Sequence, residues 1–293
     1  MEGRFMKKVL AFAVPLLVCT LFTSACSLFP FGGTAFFVDE TRTASAQDIA
    51  RIRVEDVSCP ITIVPGDAVS ARLYGECVSV STPMKLNMTT SGQEVVFSVE
   101  YPINGIRRNS CKLMLTLPAS FSGELVIGNV SGNIDGNGAL SSLSLLRIDT
   151  VSGNCGFEQL RAQRAELRSV SGSFVVGFVG SGGVKVNTTS GKTEVRQLSG
   201  PADIGSVSGS ATLYVAALHG IAFGTTSGNL SVTLAEGADF ALDFGSVSGS
   251  IRNDFPVLIS SQIGKNLVGT VGKGGALIRI RSVSGNAQIL RLP

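Results

Sequence analysis

The sequence predicts an all-β chain, a single-stranded parallel β-helix-like solenoid with an irregular N-terminal β cap, and three observations carry that reading. The first is a recurring phrase: small polar, Val or Thr, Ser, Gly. It reads Asn129-Val130-Ser131-Gly132, Thr150-Val151-Ser152-Gly153, Ser169-Val170-Ser171-Gly172 and Thr188-Thr189-Ser190-Gly191, and further copies end at Gly209, Gly228, Gly249 and Gly285. Successive glycines lie 21, 19, 19, 18, 19, 21 and 36 residues apart. A period in this range is a solenoid signature, and the last interval is close to a doubled period. The second observation is that the residues seven and five places before each glycine are apolar, as in Leu146/Ile148, Val184/Val186 and Ile278/Ile280. The third is that the alternation resumes two and four places after it, as in Phe174/Val176 and Leu230/Val232. A spacing of two is a strand with one buried face, so each unit carries two strands.

Between those strands the side-chain parity slips, and the slip falls inside the phrase. A one-residue slip sends every later side chain to the opposite face unless the chain bends, so the phrase marks a corner or bulge. Glycine suits a bend because it reaches positive φ without steric cost, and serine can bond backbone groups that the bend unpairs. Gly132, Gly153, Gly172, Gly191, Gly209, Gly228, Gly249 and Gly285 are therefore structural corners rather than catalytic residues. A Gly/Ser linker would lack the apolar alternation on both sides of every copy. A β-sandwich or barrel is the rival arrangement of the same strands.

The Val-Ser-Gly corners, together with Leu115-Thr116-Leu117-Pro118 before them and Asn253-Asp254-Phe255-Pro256 before the last unit, resemble the bacterial putative-adhesin domain family over about residues 47–293. The resemblance implies a β-strand-repeat solenoid of parallel β-helix type, often secreted or membrane-anchored. It brings no catalytic residues.

The chain begins with an export signal, residues 1–25. Arg4, Lys7 and Lys8 precede an apolar run from Val9 to Phe22, and Thr23-Ser24-Ala25 leads to Cys26. Small residues before a cysteine resemble the bacterial lipoprotein signal, which would lipidate Cys26 and anchor the chain in a membrane. Thr23 stands where such signals usually carry Leu, Val or Ile, so cleavage after Ala25 without lipid, or an uncleaved anchor, are the alternatives. Residues 26–47 are a mixture of Phe, Gly, Thr and Ser without sustained period, expected to be a tether. Residues 48–120 hold short strands outside the later register and are expected to cap the first rungs, with the solenoid running over 121–293. The doubled interval is expected to be a rung with a long protruding loop at 253–276. The final strand, Ala287 to Leu290, is expected at an open end that this loop folds over.

Charge and composition narrow the function. The chain has 24 Lys+Arg and 21 Asp+Glu, and without Glu2, Arg4, Lys7 and Lys8 the balance is 21 to 20. No basic run longer than Arg107-Arg108 exists beyond the signal, which argues against a nucleic-acid partner. Cys59, Cys77, Cys111 and Cys155 lie outside the export segment. Export permits disulfides, Cys59–Cys77 being the first pairing expected and Cys77–Cys111 the second, with Cys155 a buried small hydrophobe. Their spacing does not suit zinc, and no metal or cofactor is expected. His219 is the only histidine and sits in a turn. The Gly-rich stretch from Gly264 to Gly275 fails the phosphate-loop pattern because Thr270 follows Gly269 where lysine is required. These readings point to a non-enzymatic, exported, membrane-anchored solenoid presenting a surface to an envelope protein or glycan. A carbohydrate-active β-helix enzyme and an envelope stress sensor or accessory lipoprotein are the alternatives.

Overall fold

The computed structural model describes residues 33–44, 49–136 and 142–292. The export segment and Cys26 lie outside the described residues. All regular structure among those described is β, in 24 strands. The repeats wind as a flattened solenoid, in which each turn contributes one strand to each of two facing sheets.

The strands ahead of each corner form the first sheet: β9 (Glu124–Gly128), β11 (Ser142–Asp149), β15 (Ala202–Ser206), β17 (Ile221–Thr225), β19 (Phe240–Ser246) and β23 (Ala276–Ser282). Those after the corner form the second: β10 (Ile134–Asp135), β14 (Thr193–Leu198), β16 (Ala211–Val215), β18 (Leu230–Leu234), β20 (Ile251–Asn253) and β24 (Ala287–Arg291). Two 15-residue strands, β12 (Cys155–Ser169) and β13 (Phe174–Thr188), run continuously from the second sheet into the first of the next turn. Register shifts in their pairing, between Phe157 and Arg161 and between Ala162 and Arg164, mark where they round the edge. Neighbouring turns pair in parallel. The predicted inward positions form the core, and Leu146, Ile148, Val176, Val186, Leu213 and Ile289 are fully buried.

Each predicted corner is formed, by a different cause from the one expected. None of the eight corner glycines has positive φ. Glycine is required because the turns stack so closely there. A Cβ on Gly153 would meet the carbonyl oxygen of Gly132; on Gly172 that of Gly153; on Gly191 that of Gly172. The side chain three places earlier holds the bend. The N–H of Gly153 donates to Thr150 Oγ1 at 3.1 Å, that of Gly172 to Ser169 Oγ at 2.6 Å, and that of Gly132 to Asn129 Oδ1 at 3.0 Å. The corner serines form a ladder. Ser171 donates its N–H (2.8 Å) and its hydroxyl (3.3 Å) to the Val151 carbonyl of the turn before, and Ser190 does the same to Val170.

The cap conceals one more solenoid turn, made by β2 (Arg51–Glu55) and β3 (Ile61–Gly66). Its corner is Asp56-Val57-Ser58-Cys59, with Cys59 where the other copies carry glycine. Ile52, Val54, Ile61 and Ile63 occupy the same four buried positions relative to it. Further out stand β6 (Glu94–Glu100), parallel to β2, and β8 (Lys112–Pro118), parallel to β3. Three strands close this end: β5 (Lys85–Ser91) on β6, β4 (Val69–Ser79) on β8 and β7 (Ile106–Asn109), and β1 (Thr34–Ala44) along the whole of β4, all antiparallel. The expected tether is therefore a strand over Thr34–Ala44. Phe36 and Val38 turn inward and pack on the core, which a solvated tether would not provide.

The C-terminal end departs from expectation too. β23 lies between β17 and β19, and β24 between β18 and β20, so the last turn of the sequence is inserted behind the one before it. The final strand has no open edge. The expected long loop is a hairpin, β21 (Val257–Ile263) and β22 (Asn266–Val271), with β22 added antiparallel to β19. The hairpin lets the chain reverse beyond β19 and re-enter as β23. Its Gly-rich flanks serve turns: Gly264, Gly272, Gly274 and Gly275 all have positive φ.

Candidate binding trough

Three outward columns cross the first sheet, at eight, six and four residues before each corner glycine. The middle column carries the charge: Arg147, Glu166, Lys185 and Asp203 stand on successive turns, and Arg147↔Glu166↔Lys185↔Asp203 are direct cross-strand neighbours. Arg147 lies 3.9 Å from Glu166, Lys185 3.6 Å from Asp203, and Arg164 2.8 Å from Glu166. The alternating stack is thus in the register that the period requires.

The charge then stops. Along β13, β15 and β17 one outer column carries Gly183, Pro201 and Gly220, the other carries Gly205 and Gly224, and the middle column carries Ala222. On the side of Pro201 and Gly220, with Ala222 and Gly182, the small residues leave a trough of about 500 Å³ over the sheet; Gly205 and Gly224 lie outside its lining. Arg164 and Lys185 stand toward one end, Leu277 and Arg279 at the other, with Asp203 beside the floor. Arg279 is held 3.3 Å from Asp243, and Arg281 2.6 Å from the same carboxylate. These bonds lower the Asp243 carboxyl below its usual range, the bond from Arg281 being the main cause. Arg281 leans over Gly245, away from Gly224.

Gly224, outside the trough lining, is unusual in another way. It sits inside a strand, its φ is not positive, and a Cβ there would meet nothing within 4 Å. Strand glycine weakens the sheet and commonly marks a close approach by another group. Gly205, its cross-strand partner, faces only the Asn187 carboxamide. No packing reason keeps a side chain off Gly224.

The structure separates the cysteines. All four described ones are buried free thiols. The first-choice pairing, Cys59–Cys77, is not formed: Cys59 Sγ lies 3.4 Å from Tyr101 Oη and 3.8 Å from Asn109 Nδ2, whereas Cys77 interacts with Cys111. Cys59 tolerates its side chain because the next turn outward has no corner. The long 101–111 connection fills that space instead. Tyr101 donates to Asp56 at 2.6 Å and accepts the Ser58 N–H at 2.9 Å, and the Cys59 N–H donates to Asp56 at 2.7 Å. Burial raises the Asp56 carboxyl and pushes the Cys59 thiol up to about 12, Asp56 adding to the latter effect. A thiol so raised is protonated at neutral pH and is no nucleophile. Burial likewise pushes Cys155 up to about 12. His219 is exposed in the β16–β17 turn with Nδ1 3.2 Å from the Ala217 carbonyl. Among the described residues no group of three or more His, Cys, Asp or Glu is placed to hold a metal ion.

The alignment of columns could have revealed the trough from sequence, since Pro201, Gly220 and Ala222 fall at two fixed offsets from the corner. The second corner ladder was readable in the same way. Asn133, Asn154 and Ser173, one place after the glycines, each accept the N–H of the equivalent residue in the next turn, at 3.1, 3.0 and 3.4 Å.

The chain is similar to solved structures described as putative adhesins. One from Bacteroides fragilis is 12% identical with a TM-score of 0.40, covering 87% of this chain and 97% of that one. One from Parabacteroides distasonis is 13% identical with a TM-score of 0.37, covering 89% and 99%. A putative cell adhesion protein from Clostridium sporogenes is 8% identical with a TM-score of 0.28, covering 88% and 100%. No curated protein matches. The family profile described as Toastrack DUF4097 matches residues 71–290, from the outer cap strands to the inserted last turn. With that match over most of its length, the chain belongs to the Toastrack DUF4097 family.

Proposed function

We propose that this protein is a non-enzymatic, adhesin-like scaffold, exported and held at the cell envelope through a lipid on Cys26, that presents the trough of its first sheet to an envelope protein or glycan. The observation that carries the reading is the trough itself, open over Pro201, Gly220 and Ala222 with Arg164 and Lys185 toward one end and Arg279 at the other. Parallel strands paired on both sides hold the trough floor, so the surface needs little ordering when it is occupied. Burial raises the Cys59, Cys111 and Cys155 thiols away from reactivity, and the charges of the trough rim are engaged in ion pairs rather than converged on one point. That arrangement suits recognition better than proton transfer.

Two experiments test it. Cross-linked material recovered from intact envelopes with the wild type should be lost with Ala222→Phe, which fills the trough from its exposed floor. Recovery of the same partners by both would end the trough reading. Cys26→Ala should move the protein out of the membrane fraction, and a wild type already soluble with an unmodified Cys26 would end the anchor reading.

A further inference from the structure

Five strands among the described residues pair with one neighbour only, and four of them are guarded in ways that discourage pairing with another chain. β1 carries Asp39, Glu40 and Arg42; β5 begins with Lys85; β7 is four residues long and carries Arg107 and Arg108; β20 is only three residues long, contains Arg252 and runs on to Asp254 and Pro256. β21 is the exception. Its seven residues, Val-Leu-Ile-Ser-Ser-Gln-Ile, include no charge and no proline, and it pairs with β22 alone. Leu258 is 76% exposed, Ile263 75% and Ile259 48%, with Val268 of β22 exposed beside them. Here the strand backbone is open and the apolar side chains stand in water.

We infer that β21 pairs antiparallel with β21 of a second copy, making a symmetric dimer through the C-terminal hairpins. The choice of occupant follows from charge. Pairing β21 with β1, β5, β7 or β20 of another copy would place charged side chains against an apolar strand, which is costly unless they find partners. Two β21 strands bring no charge to each other. With the twofold axis through Ser260, Val257 faces Ile263, Leu258 faces Gln262 and Ile259 faces Ser261. Asp254 precedes the strand and Lys265 follows it, so antiparallel pairing brings the acidic end of each copy beside the basic end of the other. The bulge between Ile259 and Ser261, where the Ser260 hydroxyl donates to the Val268 carbonyl at 3.1 Å, falls at the axis and divides the edge into two short segments. An isologous pairing consumes the edge and stops at two copies.

The axis makes the proposal testable in the full chain. Ser260→Cys places one thiol of each copy at the twofold, and a short bismaleimide should join them into a species of twice the chain mass. Gln288→Cys, exposed on the second sheet rather than on β21, should not be joined. Adding Ile259→Lys to Ser260→Cys should abolish the product, while circular dichroism shows the strand content retained, because Ile259 is not part of the core. Equal cross-linking at positions 260 and 288, a product that survives Ile259→Lys, or a product whose mass is not twice that of the chain would each overturn the dimer.

Discussion

At the corners, single atoms decide which residue is allowed. Gly209 and Gly224 belong to the same sheet of turns, yet a Cβ on Gly209 would meet the Gly191 carbonyl, and one on Gly224 would meet nothing. Gly209→Ala should therefore destabilise by about 1–3 kcal/mol, as overpacking does. Gly224→Ala should stabilise by about 0.5–1 kcal/mol through the propensity regained. Urea denaturation midpoints of the two variants should move in opposite directions. Asp56 gives a pH test. Its carboxyl is raised by burial, so the fold binds the proton more tightly than the unfolded chain does. That contribution is full below the ordinary carboxylate value of about 4 and is lost as pH rises through the raised one. Asn129, in the equivalent place one turn on, holds its corner with a neutral carboxamide. Asp56→Asn should flatten the stability–pH profile over that window, and an unchanged slope would mean that Asp56 is not the group responsible.

At the scale of the element, the corner edge and the charged column both work by translation. Each side chain meets its equivalent one turn away, about 4.8 Å off. Glu166 sits between Arg147 and Lys185 across strands and also bonds Arg164, so Glu166→Lys would stack three cations in one column. Pairs of this kind contribute about 0.2–1 kcal/mol. The reversal should cost roughly 1–2 kcal/mol, the lost attractions to Arg147 and Arg164 and the new repulsions together, and the loss should shrink in high salt. Glu166→Gln, measured alongside by denaturation, should cost less and depend less on salt.

Across the whole molecule, both terminal turns of the solenoid are enclosed. β2 and β3 lie between later strands of the cap and the second turn; β23 and β24 lie between earlier ones. A chain end in the middle of a ladder cannot fray without separating its neighbours. Amide hydrogen exchange should therefore be slower in β24, within a few residues of the C-terminal Pro293, than in β21, thirty residues earlier. Ending the chain before Ala276 should remove the link between β17–β18 and β19–β20. Loss of protection should then spread through β19 and β20, which mass-resolved exchange would locate; protection kept in those strands would show that the insertion is dispensable.

The sequence by itself determined the period, the two strands per turn, the inward positions and the eight glycine corners, because each of these is a property of one turn repeated. Val176 and Val186 face the core for reasons that lie within a few residues of themselves. The charged column follows as well, since a fixed register stacks equal offsets. The reason for glycine at the corners was not legible, because it lies in the carbonyl of another turn rather than in the residue's own φ. Nor was the ninth corner, which Cys59 disguises and which only the Tyr101 connection above it makes room for. The order of the turns was decided by the tertiary structure alone. A strand edge offers the same backbone N–H and C=O groups whatever side chains it carries, so β17 could accept β19 or β23 equally by local pattern. The hairpin occupying the outer edge of β19 is what sends the last turn inward, and that competition exists only once the strands are side by side.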